Sequence, residues 1–150
     1  MQKITFKTGV KSYEINGNGV LRFNPNDPNV YARFLDAVQE ITDLEEKFAK
    51  KASAIDTSDE KTSGEEFLRF MADADKEIKK ILSEVFGEEN DFNKLLGGVN
   101  VLAVAENGER VITNLFQALT PILQSGAENC ATQQINDAKA ARAQRKANEH

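Results

Sequence analysis

The chain has 150 residues, 40% hydrophobic and 29% charged, with 24 acidic against 19 basic side chains and a formal net charge of −5. That length suffices for one domain with its own core, and the composition excludes wholesale disorder. The one histidine, His150, is the last residue and the one cysteine is Cys130. A histidine-dependent nucleophilic triad, an intramolecular disulfide and a clustered-thiolate zinc site are therefore excluded.

The first 23 residues read as β structure. Ile4-Thr5-Phe6 and Tyr13-Glu14-Ile15 alternate over short stretches, and Val20-Leu21-Arg22-Phe23 follows. Gly9-Val10 and Asn16-Gly17-Asn18-Gly19 supply residues that tolerate positive φ, so a hairpin or a meander of two or three strands is expected. Such a ribbon is marginal alone and should lean on helices or on another subunit. Asp27-Pro28 then has the form of an N-cap followed by a first-turn proline. From there Val30, Phe34, Val38, Ile41, Leu44, Phe48 and Ala52 make one apolar stripe, predicting a helix over 28–54 about 40 Å long.

Asp56 to Thr62 is polar and reads as a linker, and Ser63-Gly64-Glu65-Glu66 has capping-box spacing. A second stripe of Phe67, Phe70, Met71, Ala74, Ile78, Ile81, Leu82 and Val85 ends at Gly87, placed to terminate the helix. Two long amphipathic helices with a short connection should lie antiparallel. Asp91 to Leu96 predicts one or two helical turns stopped by Gly97-Gly98, while Val99 to Ala105 fits a buried strand and a helix equally. Beyond Asn107-Gly108, the residues Val111, Ile112, Leu115, Phe116, Leu119, Ile122 and Leu123 mark another helix, with a kink expected at Pro121. From Ala127 the chain turns to Ala, Gln, Asn, Lys and Arg, with helix propensity and hardly any stripe.

The expected fold is α-rich α+β. A small N-terminal β-hairpin or meander (1–23) precedes an antiparallel helical bundle (28–123), together one domain over 1–126. Residues 127–150 form a partly disordered helical tail. Residues 1–23 carry a net +3 and residues 131–150 a net +2, which leaves −10 on the segment 24–130. An acidic body repels phosphate, so nucleic acid is not an expected partner. No signal-peptide core follows Met1, and the longest nearly apolar run, Leu95 to Ala105, is far short of the ~20 residues of a spanning helix.

Candidate chemistry is sparse. Asp56, Asp59 and Glu60 cluster, as do Asp73, Asp75 and Glu77, of which Asp73 and Glu77 share a helix face while Asp75 points elsewhere. No calcium-loop spacing is present, and both groups read as solvated acidic surface. Asn16 to Gly19 lacks the phosphate-loop pattern and reads as a hairpin turn. Cys130 has no histidine to activate it and reads as a small half-buried residue. No cofactor, metal site or catalytic residue is expected. The numerous phenylalanines fill one helical core, or leave part of a stripe open for an apolar helix or a second copy of the chain.

The order of parts is familiar. Asn24-Pro25-Asn26-Asp27 opens a long acidic helix containing Arg33-Phe34, and a second helix ends in Ile78-Lys79-Lys80-Ile81-Leu82-Ser83-Glu84-Val85-Phe86-Gly87. Phe92-Asn93-Lys94-Leu95-Leu96-Gly97-Gly98-Val99-Asn100 and a helix around Asn114-Leu115-Phe116-Gln117-Ala118-Leu119 follow. Over about residues 14–125 this resembles the tail assembly chaperones of long-tailed phages and prophages of Gram-positive bacteria. The tail from 127 departs from that pattern. The resemblance implies a non-enzymatic protein that binds and solubilises the tape measure protein until tail tube subunits replace it. It implies a homo-oligomer in the cytoplasm of the bacterial host, without a membrane role and absent from the mature virion. By position, Phe67, Phe70, Phe86, Phe92, Leu95, Leu115 and Phe116 are the candidates for client or self contact. The alternative is a structural tail or neck component whose β start adds to a neighbour's sheet.

Overall fold

Asn16 and Gly17 adopt positive φ (50° and 74°), and the Asn18 N–H donates to the Ile15 carbonyl at 2.8 Å, closing a tight turn. That turn joins β1 (Lys11–Ile15) to β2 (Gly19–Phe23) as an antiparallel pair with Ser12 opposite Arg22 and Tyr13 opposite Leu21. Helices follow: α1 (Pro28–Ser53), α2 (Glu60–Phe86), α3 (Phe92–Leu95) and α4 (Val111–Asn148). The computed structural model describes residues 1–55 and 60–148, and 65% of the chain is helical, the α-rich α+β class expected from sequence. No helix among the described residues is long and apolar enough to cross a membrane.

The helix ends follow local chemistry. The Asp27 carboxylate accepts the Asn29 N–H at 2.9 Å with Pro28 in the first turn, and Lys50 and Lys51 sit at the end where the helix dipole favours positive charge. Gly87, at φ +110°, ends α2 and donates its N–H to the Ser83 carbonyl at 2.9 Å. Asp91 caps α3, and Gly97 and Gly98 stop it at φ +66° and +74°. At α2 the start differs from expectation: the helix begins at Glu60, so position 63 lies inside it rather than at its cap. Lys61, Glu65 and Glu66 are good helix formers, and no proline interrupts the stretch from Glu60 to Glu66. The proposed linker and acidic cluster at Asp56 and Asp59, like the side chains of Glu60 and Ser63, lie outside the described residues.

Contacts near the helix ends set the helix directions. Arg33, early in α1, donates from Nε to the Val85 carbonyl at the end of α2 (3.0 Å), while Phe48, late in α1, packs on Phe67 and Phe70 early in α2. These helices are antiparallel. Arg110, just before α4, pairs with Glu45 (3.2 Å), Phe116 meets Phe34 edge-on, and Gly126 lies against Pro25. So α4 runs back along α1. Ile41, Ile78, Leu82, Ile112, Leu119 and Leu123 meet in the core, each buried side chain contributing about 1.5–3 kcal/mol. The hairpin joins this core through a relay of rings, Tyr13 on Phe23 (5.2 Å), Phe23 on Phe86 (4.9 Å) and Phe86 on Phe92 (5.7 Å).

Two stretches resolve what the pattern left open. Residues 99–105 are neither strand nor helix. Val101 and Leu102 are buried in a turn held by the Asn100 carboxamide on the Leu102 N–H (2.8 Å) and by Ile112 N–H on the Val101 carbonyl (2.9 Å). The expected strand at Ile4-Thr5-Phe6 does not form, and the meander reduces to two strands. Gly9 takes φ +102°, Asn24 Nδ2 donates to the Thr8 carbonyl at 2.7 Å, and Ile4 and Phe6 stand 91% and 76% exposed. The tail is helical to Asn148, continuous with α4 through Pro121, and exposed from Ala131 onward.

A glycine lets α4 lie against the turn that precedes α1. A Cβ on Gly126 would lie 1.8 Å from the Pro25 carbonyl oxygen, a backbone atom that has no rotamer to move. Gly126→Ala should cost about 1–3 kcal/mol of stability, as overpacked sites do, while Ser125→Ala beside it should stay within about 0.5 kcal/mol of the parent. Urea unfolding followed by helical circular dichroism measures both.

Candidate interaction surface

The site residues named from sequence divide by burial. Phe86, Phe92, Leu95 and Leu115 are 4%, 1%, 3% and 7% exposed, so in this conformation they are core and present nothing to a partner. Phe67, Phe70 and Phe116 are half-buried and reach the surface. The structure brings Phe67 and Phe70 together on Phe48, at 5.0 and 6.1 Å between ring centres, where α1 and α2 approach the 54–60 connection. Lys51 lies 4.4 Å over the Phe70 ring and the Arg110 guanidinium 5.2 Å over Phe48. Phe116 stands apart, on α4.

Phe116 lines a shallow hollow of about 440 Å³ with Thr113, Gln117, Thr120 and Pro121. These are successive residues on one face of α4, and the hollow is an apolar shelf. Leu68, 64% exposed beside Phe67, and Leu35, 51% exposed on α1, add to the open apolar surface. Neither was singled out from sequence. The signal for Leu68 was present, since a large aliphatic residue directly after Phe67 lies off the stripe that a single buried face can hold.

Polar chemistry concentrates under the segment that carries the resemblance. Lys79 is buried, and its Nζ donates to Asp75 Oδ2 (2.9 Å), Asn93 Oδ1 (2.8 Å) and the Val99 carbonyl (2.9 Å), which occupies all three of its donors. Asp75 Oδ1 accepts the Val101 N–H at 2.8 Å, and Asn100 Nδ2 donates to the Met71 carbonyl at 3.0 Å. The reading of Asp73, Asp75 and Glu77 as one solvated surface is therefore corrected. Asp73 and Glu77 are exposed, but the Asp75 side chain is 14% exposed and clamps the 99–102 turn to α2. One turn of helix brings Asp75 beneath Lys79, and the fold closes over both.

Asn90 plays a similar part at the hairpin. It is 2% exposed, accepts the Arg22 N–H at 2.9 Å and donates to the Arg22 carbonyl at 2.9 Å and the Phe86 carbonyl at 2.8 Å. Its carboxamide thus stands in for a neighbouring strand along β2. Among the described residues no group of three potential metal ligands occurs, and Cys130 is a free, half-buried thiol. Burial pushes the Tyr13 phenol above its ordinary value of 10.0. No family model, curated protein or solved structure matches the chain.

The clamp makes a sharp expectation. Asp75→Ala leaves a buried ammonium without its counter-charge and the Val101 N–H without its acceptor, and should cost about 3–5 kcal/mol. Asp73→Ala, on the solvated side, should change stability by less than about 0.5 kcal/mol. Denaturant midpoints of the two variants decide the matter, and equal small losses would mean that Asp75 does not hold the turn.

Proposed function

We propose that this chain is a binding protein of the tail assembly chaperone type, which holds a long, helical, aggregation-prone tape measure protein in solution during phage tail assembly. The observation that carries the reading is an acidic body with apolar side chains left open on helix faces. Among the described residues, Leu68 beside Phe67 on α2 and the Phe116 shelf on α4 offer places where an apolar helix can lie. The resemblance supports the same class, and the residues that carry it, Val85-Phe86-Gly87 and Leu96 to Asn100, form the end of α2 and the turn clamped to it.

The mechanism is burial without chemistry. Client side chains withdraw from water onto the open faces at about 25 cal/mol per Å² of apolar surface, and the net −5 of each chain keeps the complex apart from its neighbours. Several copies would be needed along a long client. The second reading, a structural tail or neck component, draws its support from the unpaired β1 edge, which suits addition to another sheet.

Co-expression with the long helical protein encoded beside this chain, followed by affinity purification and sizing, tests the proposal. A soluble complex with several copies of this chain per client is expected, with the client insoluble when expressed alone. Leu68→Asp combined with Thr120→Asp should keep the fold and lose most of the client recovery. A client that stays insoluble with the wild-type chain, together with recovery of this chain from purified particles, would favour the structural reading instead.

A further inference from the structure

The sequence calls for a strand at Ile4-Thr5-Phe6, and the single chain gives that segment nothing to pair with. Residues 1–7 leave the body at Gly9, where the chain is pinned by Asn24 on the Thr8 carbonyl, and are exposed throughout. The arm is amphipathic as a strand. Ile4 and Phe6 lie on one side, and Lys3, Thr5 and Lys7 on the other.

The same chain carries a matching vacancy. The sheet holds only β1 and β2, and the outer edge of β2 is met by Asn90, whereas no strand among the described residues meets the outer edge of β1. Because the backbone of Arg22 turns away from β1 toward Asn90, Arg22 and its partner Ser12 form a non-hydrogen-bonded pair. It follows that the N–H and C=O groups of Ser12 and Glu14 point outward along the open edge. An arm of residues 2–7, about 20 Å long when extended, is enough to cover it.

We propose that the arm of one copy, Gln2–Lys7, docks as an added strand on the β1 edge of a second copy. Face and charge agree with this pairing. Ile4 and Phe6 then continue the half-buried side of β1 that carries Tyr13 and Ile15. Beside Tyr13 lies a hollow of about 340 Å³ with Pro25, Pro121 and Ile122 in its wall and Lys11 and Asn129 at its polar side, and the added strand would bring the Phe6 ring to it. Lys3 and Lys7 fall on the side that carries the exposed Glu14, an opposite-charge cross-strand neighbour. The exchange requires only copies of this chain and stands apart from the identity of any client.

Sedimentation of the full chain over a range of concentrations is the test, using Ile4→Asp/Phe6→Asp as the arm variant and Ser12→Pro as the edge variant. The wild type should assemble, and each variant should sediment as a monomer of 16.6 kDa with wild-type helical circular dichroism. Mixed together, the two variants should form a one-to-one heterodimer, since one retains the edge and the other the arm. If Ser12→Pro disturbs the hairpin, Glu14→Lys replaces it, setting like charge against the arm lysines and weakening assembly several-fold. A wild-type chain that stays monomeric throughout overturns the proposal and gives the arm to a different partner. Assembly undiminished in the arm variant overturns it equally.

Discussion

A lysine ammonium buried beside α2 organises this protein. Lys79 can leave water only because Asp75, Asn93 and the Val99 carbonyl together satisfy its three protons, and each partner comes from a different place along the chain. Asp75 is one helical turn earlier, Asn93 is in α3, and Val99 begins the turn that leads to α4. Satisfying one charge thus brings three segments into register. With the turn held, Val101 and Leu102 enter the core, and α4 starts where Ile112 can bond to Val101.

The hairpin is attached by the same kind of device. Asn90 occupies the backbone groups of Arg22 that a third strand would have taken, and Asn18 Nδ2 reaches the Leu95 carbonyl at 3.1 Å. A two-stranded ribbon is too small to be stable by itself, and these bonds with the Tyr13–Phe23–Phe86–Phe92 relay tie it to the helices. The attachment is one-sided. It closes β2 and leaves β1 open, so the molecule carries both an unfilled edge and an unplaced arm.

The rings are shared between inside and outside, and the proposed binding role rests on that division. Phe86 and Phe92 are consumed in joining the hairpin to the helices, whereas Phe67, Phe70 and Phe116 are half-buried and reach the surface. A protein that binds an apolar helix reversibly needs this division: a core stable without the client, and open apolar surface small enough to stay soluble. Acidic charge on the body favours solubility.

By itself the sequence determined the elements whose causes are local. The Asp27-Pro28 start of α1, the Gly87 stop of α2, the short α3 before Gly97-Gly98 and the Asn16-Gly17 turn all rest on φ preferences and caps within a few residues. Periodicity likewise located the stripes of α1, α2 and α4. Three things depended on contacts between residues far apart. Asp75 looked like one of several surface acids until the fold laid Val101 and Lys79 against it. Val99 to Ala105 had two equal local readings, and its bonds to α2 and α4 selected neither. The Ile4 to Phe6 segment has the pattern of a strand, but a strand exists only where a second edge is offered, and the single chain offers it none. Local pattern decides what a segment can become; which of its polar groups find partners is settled only when the chain closes on itself.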